Sequence, residues 1–117
     1  MNEFGLSDKK CEIEFYPIDS QSSERKDIGL SSMYKVNPAY TKRRGTIEQK
    51  SIKVQVSTLD EYFMDKKMPN ILWVDVEGAE LKVFEGGENV LKNVDLIQVE
   101  VGFREMHIGK PLFWQID

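Results

Sequence analysis

Three acidic residues lie close together in one short stretch of this sequence, Asp75, Glu77 and Glu80. They follow the apolar run 71–76, which is typical of a strand covered on both faces. In open α/β sheets ligands bind outside the carboxyl ends of the strands, so these carboxylates face the expected site. Asp75 and Glu77 would share one face if the strand continued that far, and Gly78 would let the backbone turn sharply or approach a ligand closely.

The same acids also have a structural explanation. Glu77 and Glu80 would be favoured in the first turn of a helix by its dipole, with Asp75 capping the turn. A carboxylate inside an apolar strand is costly unless it is paired or hydrogen-bonded, and such costs are tolerated most readily at functional sites. Asp75 is therefore the hardest of the three to explain structurally, and both explanations stay open.

Two residues that follow the last predicted strand could also take part in chemistry. His107 is the single histidine, and because imidazole titrates near neutrality it is a possible base. A lone loop histidine is more often a surface or structural residue. Arg104 could contact a carboxylate or phosphate group of a substrate.

The elements that must position these residues alternate between strands and helices. Period-two alternation or continuous apolar runs predict strands over 10–16, 52–56, 71–76 and 95–101. Thr58 followed by Glu61 is a capping-box pattern that begins a helix after the second strand. Gly86 and Gly87 divide the helical stretch 79–92 into two short helices. From 52 onwards, this order predicts a parallel α/β sheet with right-handed crossovers.

The polar segment from about 19 to 50 has no sustained hydrophobic period. An unstructured connection of this length is uncommon inside a compact domain. It is interpreted as a mobile loop or lid near a binding site, or as a region that becomes ordered only beside further strands.

Composition restricts the class of protein. The 117 residues are 40% hydrophobic and 31% charged, which is typical of one soluble globular domain. The net charge of -4 and the scattered basic residues do not indicate a nucleic-acid surface. A single cysteine excludes a disulfide framework and a multi-cysteine metal site, and it fits a reducing compartment. With neither a membrane-spanning stretch nor a signal-peptide core, the expected location is cytoplasmic, with no membrane partner.

Several strings resemble the conserved part of FkbM-type methyltransferases. The most specific is Asp75-Val76-Glu77-Gly78-Ala79-Glu80. The others in that part are Val56-Ser57-Thr58-Leu59-Asp60-Glu61, Phe84, Gly86, Leu91 and the strand that ends at Glu100. The segment that precedes this part in the family is similar to Leu6-Ser7-Asp8, Glu12 to Phe15, Gly29 and Ser31-Ser32.

The resemblance implies a Rossmann-like class I methyltransferase sheet that transfers a methyl group from S-adenosylmethionine to a hydroxyl, commonly on a sugar or a secondary metabolite. Asp75 or Glu77 would be the base for the hydroxyl proton. By analogy with the same fold, Phe4 and Gly5 lie after a strand that would flank the adenine of the cofactor, and they are the candidate cofactor contacts. Glu100, Arg104 and His107 are the candidate contacts to a small-molecule hydroxyl acceptor, and no metal is expected.

Two departures from the family pattern limit these expectations. Trp73 occupies a position that is usually lysine. The glycine-rich strand-turn segment that would meet the cofactor has no counterpart before Met1, and the chain stops at Asp117 before the closing helix and strands. We therefore expect one partial domain, 1–117, that by itself binds S-adenosylmethionine weakly or not at all. We also expect it to be poorly stable or to self-associate through uncovered sheet.

Two other classes of function remain open on the sequence. One is a non-enzymatic relic or accessory fragment that keeps the sheet without the cofactor site. The other is a metal-dependent hydrolase with Asp75, Glu77 and Glu100 as oxygen ligands, which the chemistry of hard cations permits.

Overall fold

The first half of the protein forms a small mixed sheet. The computed structural model describes residues 4–25, 27–42 and 44–116. Its first three strands are β1 (Gly5–Leu6), β2 (Cys11–Phe15) and β3 (Ile52–Ser57). β3 lies in the middle, parallel to β1 and antiparallel to β2. β2 and β3 confirm the two strands that apolar alternation predicts, and Ile13 faces Val54 across the pair.

The polar segment 19–50 contains short elements of its own. A 3₁₀ turn covers Ile28–Leu30, and helix α1 covers Pro38–Thr41 after Asn37, whose side chain accepts a hydrogen bond from the Ala39 amide. A small core gathers here around three buried side chains, Ile18, Leu30 and Val36. The segment is therefore not an unstructured connection, because it buries apolar residues locally. Its mobility stays a prediction.

Helix α2 (Leu59–Phe63) begins where the capping pattern predicts. The Thr58 hydroxyl accepts a hydrogen bond from the Glu61 amide at 3.0 Å. The Glu61 carboxylate does not complete the capping box. It accepts hydrogen bonds from Lys10 at 2.6 Å and from the Ser57 hydroxyl instead. The pattern thus places the helix start correctly, although only half of the reciprocal motif forms.

The second half contains β4 (Ile71–Val74), helices α3 (Glu80–Glu85) and α4 (Glu88–Leu91), and β5 (Leu96–Val99). β4 and β5 are parallel. Gly86 and Gly87 separate the two helices, as predicted. The pair also permits close packing, since a Cβ at Gly86 would lie 2.2 Å from the Ser7 carbonyl oxygen. A last helical turn, α5, covers Phe113–Ile116.

Two sequence expectations about the sheet are wrong. The strands at 52–56, 71–76 and 95–101 do not form one parallel sheet, because both edges of β3 are occupied by β1 and β2 while β4 pairs with β5. β4 is also covered on one face only. Val74 is buried, whereas Ile71 is 63% exposed and Trp73 is 70% exposed.

The main core joins the two sheets to the helices. It is built around four buried side chains, Leu59, Val74, Val83 and Val90, with Leu6, Phe63, Leu72, Phe84 and Val99 packed around them. No helix within the described ranges is long and apolar enough to cross a bilayer.

Candidate functional site

A cavity of about 480 Å³ lies between the turn that follows β4 and the strands of the first sheet. Asp75 and Glu77 line it on one side, and Phe4 and Gly5 line it at the start of β1. Apolar side chains of β2 and β3 form much of the remaining wall: Ile13, Phe15, Val54 and Val56. The structure therefore brings the predicted acids and the predicted cofactor contacts to one cavity.

The backbone after β4 turns away from the strand direction at Glu77. β4 ends at Val74, Glu77 has φ of 51° and Gly78 has φ of 105°. A non-glycine residue in this region is uncommon and persists only where its surroundings hold it. The Ser32 hydroxyl donates to the Glu77 carbonyl oxygen at 2.7 Å, and the Gly78 amide donates to the buried Glu80 carboxylate at 2.9 Å. Gly78 thus makes the sharp turn that the sequence predicts.

This turn changes the roles expected for the three acids. Asp75 is outside the strand and exposed, so the argument from a costly carboxylate in an apolar strand does not hold for it. Glu80 is 4% exposed and has the structural role of accepting the Gly78 amide. Glu77 is the acid whose conformation and partial burial need an explanation.

The Glu77 carboxyl is half-buried, and no residue in the described part of the chain donates a hydrogen bond to it. Burial raises its pKa to about 7, and the negative charges of Glu100 and Asp75 act in the same direction. Lys110 lowers the pKa and Glu80 raises it, both by smaller amounts. A carboxyl group with a pKa close to the working pH is available in both protonation states, which suits a general base.

The other predicted site residues are only partly brought together. Glu100 follows β5, and its charge acts on Glu77, while its amide donates to the Val74 carbonyl at 3.0 Å. Arg104 is exposed and does not line the cavity. Contacts of Glu100 and Arg104 with a substrate stay predictions.

For His107 the sequence leaves open a base that titrates near neutrality and a surface or structural residue, and the structure favours the structural alternative. Its side chain is 0% exposed, and Nε2 lies 3.0 Å from the Leu30 carbonyl oxygen. Burial lowers its pKa, so the neutral form is favoured. It is absent from the cavity wall. Its geometry therefore supports a structural role in joining the segment 19–50 to the C-terminal loop, and a substrate contact stays a prediction.

Phe4 and Gly5 lie at the edge of the cavity. Phe4 is 38% exposed, with its ring centroid 6.1 Å from that of Tyr62. Gly5 pairs with Val56 in the sheet. The strand that was expected to precede them lies outside the described residues. Their contact with an adenine ring stays a prediction.

Two residues that sequence reasoning missed belong to this region. Ser32 is 1% exposed and holds the Glu77 backbone, and Lys110 is 8% exposed beside Gly78. Ser32 belongs to the string Ser31-Ser32 of the family resemblance, but no local pattern predicts its contact with the turn, and Lys110 belongs to no pattern at all. Both reach the turn from distant parts of the chain. In the described ranges, no three His, Cys, Asp or Glu side chains are grouped to hold a metal ion, so Asp75, Glu77 and Glu100 are not arranged as such a group.

The sequence is similar to known proteins. Residues 1–117 match the family model described as the methyltransferase FkbM domain. The chain is 25% identical over 111 residues to the 2-O-methyltransferase NoeI of Sinorhizobium fredii (strain NBRC 101917 / NGR234). This alignment covers 92% of the chain and 45% of NoeI, so the chain spans less than half the length of this curated relative. No solved structure gives a significant match.

Proposed function

The chain belongs to the FkbM methyltransferase family, and we propose that it carries the acceptor side of the active site of an S-adenosylmethionine-dependent O-methyltransferase. The observation that carries this proposal is Glu77, a half-buried carboxyl with a pKa of about 7 in the wall of a cavity. We also propose a Rossmann-like sheet for the complete site. The parallel pairs β1–β3 and β4–β5 support it, since ligands of such sheets bind beyond the carboxyl ends of the strands.

The residues of the cavity suit this cofactor. The apolar side chains Ile13, Phe15 and Val54 and the ring of Phe4 offer surfaces against which a flat base can pack. The carboxylates lie across the same cavity from Phe4 and Gly5. When bound, S-adenosylmethionine supplies an electrophilic methyl group.

The acidic turn would hold the acceptor and take its proton. An acceptor hydroxyl in the cavity would donate a hydrogen bond to the Glu77 carboxylate, which receives the proton as the oxygen is methylated. Asp75, exposed beside it, would accept a hydrogen bond from a neighbouring hydroxyl. A polyhydroxylated acceptor such as a sugar fits two adjacent acids, and the name of the relative, a 2-O-methyltransferase, supports transfer to oxygen.

The proposal is tested by methyl transfer with the protein expressed from its complete gene. The assay follows transfer of a labelled methyl group from S-adenosylmethionine to a panel of sugars and hydroxylated secondary metabolites. Glu77→Gln should lower turnover by about 10²–10⁴-fold, as is typical of the loss of a general base. Asp75→Asn tests the same role for the exposed acid.

Glu88→Gln is the matched control, since Glu88 is an exposed acid on α4 that pairs with Lys92. It should leave turnover unchanged. Thermal melting of all variants separates loss of folding from loss of chemistry. Normal turnover in both site variants would remove these acids from the mechanism. Failure of the wild-type protein to methylate any acceptor would favour the non-enzymatic alternative.

We also propose a reducing, cytoplasmic location for the protein. Cys11 is the one cysteine of the sequence and is free in the structure, and unpaired thiols are typical of reducing compartments. Cell fractionation followed by immunodetection tests this, and recovery from an oxidising compartment would contradict it.

A further inference from the structure

The side chain of Lys110 lies between the loops that follow β4 and β5. A Cβ at Gly78 would be 3.0 Å from the Cβ of Lys110, and a Cβ at Gly102 would be 2.6 Å from its Nζ. The methylene stem therefore packs on the turn that contains Glu77, and the ammonium lies over the backbone just beyond Glu100. Only 8% of Lys110 is exposed, so the two glycines provide the space that it occupies.

The charges around this ammonium are mostly negative. Among the described residues none forms an ion pair within 4.0 Å or a hydrogen bond with Nζ of Lys110. Its charge nevertheless acts on Glu77 against the combined effect of Asp75, Glu80 and Glu100. Although the residue as a whole is 8% exposed, Nζ is not one of the buried side-chain atoms that lack a partner, so the ammonium keeps contact with solvent. It acts on these carboxylates through its charge and not through a direct contact.

The other titratable and charged groups near this pair are few. Tyr34 lies against Gly78, and His107 has its pKa lowered in part by the charge of Lys110. Arg104 approaches Gly102 through its backbone oxygen. None of these three carries a negative charge at neutral pH. The acid closest to Lys110 along the chain is Glu105, whose carboxylate accepts a hydrogen bond from the Gly109 amide at 2.7 Å. The negative charges that act on Glu77 are those of Asp75, Glu80 and Glu100.

We infer that Lys110 is a positioning residue, which holds the acidic turn after β4 against the loop after β5 and keeps the Glu77 carboxylate available as a proton acceptor. Lys110 does not line the cavity, so it acts through Glu77 and not on a ligand. The catalytic meaning of this role rests on the proposed function. The electrostatic effect of Lys110 on Glu77 does not rest on the proposed function, and it can be measured without any turnover.

The test is a titration of the Glu77 side-chain carboxyl, followed by carbon-13 NMR in the folded protein. In the wild type its midpoint should lie near 7. Lys110→Met keeps a long apolar stem and removes the charge, so the midpoint should rise above that of the wild type. Lys110→Arg keeps the charge and should restore most of the wild-type value. Lys92→Met, which neutralises an exposed lysine of the Lys92–Glu88 pair, should have no effect.

A second variant covers the case in which Lys110→Met does not fold. Gly102→Ala retains the lysine but places a methyl group where its ammonium lies, so the ammonium must move and the Glu77 midpoint should again rise. An unchanged midpoint in either folded variant would overturn the inference.

The pH profile of methyl transfer separates this inference from the proposed function. In Lys110→Met the acid limb of the profile should move to higher pH, with turnover largely retained above it. If no variant and no wild-type sample transfers methyl groups while the NMR midpoint still shifts, the proposed function fails and the role of Lys110 stands. If turnover is normal and the midpoint does not shift, the role of Lys110 fails and the proposed function stands.

Discussion

Glu77 and Asp75 are two residues apart, yet the structure gives them different environments. Asp75 is exposed just after β4. Glu77 is half-buried and has a positive φ, which the hydrogen bond from Ser32 to its carbonyl oxygen stabilises. Their order of importance is therefore the reverse of the one that the sequence favours. The difference arises from the turn after β4, which leaves Asp75 exposed and directs the chain at Glu77 against Ser32.

The raised pKa of Glu77 predicts a specific dependence of stability on pH. The folded-state pKa of about 7 lies above an unfolded value of about 4.3, so the native state binds more protons than the unfolded state between these values. The stability from Glu77 is therefore fully present below about pH 4.3 and is lost as pH rises through 7. Glu77→Gln does not ionise and should gain stability relative to wild type over this range.

The expected gain at pH 8 is about 1 kcal/mol once solvent screening of a half-exposed group is allowed for, or about 4–8 °C in melting temperature. The measurement is the melting temperature of both proteins from pH 5 to pH 8. Taking the difference between the two proteins cancels the contribution of His107, whose lowered pKa has the opposite sign. A difference that is independent of pH would contradict the prediction.

Individual site residues are predictable from the sequence where they belong to a specific string. The sequence predicts the string 75–80 and the pair Phe4 and Gly5 as parts of a site, and the structure places all of them except Gly78 and Glu80 in the wall of one cavity. Their roles stay predictions. Lys110 could not be found, since an isolated lysine between Gly109 and Pro111 belongs to no periodic pattern. Its proximity to Gly78 depends on the path of a long irregular loop, which local physics does not determine.

The junction of α3 and α4 shows how glycines can permit packing as well as end a helix. Gly86 lies against the Ser7 carbonyl, and Gly87 would place a Cβ 2.8 Å from a methyl group of Leu59. The junction thereby brings β1 and α2 onto the helix pair, and Val83 and Val90 become buried on either side of it.

Gly86→Ala should therefore destabilise the protein. The added methyl group would meet the Ser7 carbonyl oxygen at 2.2 Å, and because both atoms are attached to backbone, the strand or the helix must shift. Overpacking of this kind costs about 1–3 kcal/mol. Urea unfolding measures the loss. Gly29→Ala is the control, since its nearest neighbour is the flexible Asp27 side chain at 3.3 Å, and equal losses in the two variants would contradict the packing argument.

Element positions were predictable where the signal is local. The alternation in β2 and β3, the Thr58 cap and the paired glycines each depend on residues that are adjacent in sequence. The end of β4 was not predictable in this way, because Val76 is as apolar as Val74. β4 ends at Val74, and the turn that follows is held at Glu77 by Ser32 from a distant segment.

For the whole molecule, the partition of the strands into two sheets is the largest difference from expectation. Strand order along the chain indicates which segments are strands, but pairing depends on which edges are free. β2 is antiparallel to β3 and takes one edge, and β1 takes the other. The polar segment 19–50 intervenes between β2 and β3, and no period in its sequence indicates that its ends meet.

The outward face of β4 and β5 should promote self-association. Ile71 and Leu96 are paired across the strands and are 63% and 56% exposed, with Trp73 on the same face. Contiguous exposed apolar side chains on a sheet are typical of interaction surfaces. We expect the sedimentation coefficient to rise with concentration.

Ile71→Lys combined with Leu96→Lys should abolish this rise, because it places two charges on the face without touching the buried side of either strand. Ile28→Lys is the matched control, as Ile28 is 67% exposed in a different part of the molecule. It should leave the concentration dependence intact. A wild-type protein that sediments as a monomer at every concentration would contradict the expectation.

Trp73 gives this face an optical signal of its own. Indole fluorescence moves to shorter wavelength when water is removed from around the ring, and this ring is 70% exposed beside the loop that carries Asp75. With Trp114 replaced by phenylalanine, the emission spectrum would come from Trp73 alone, since the sequence has two tryptophans. The wavelength of maximum emission would then report, in real time and without an added dye, whether a binding partner or a second copy covers the outer surface of β4.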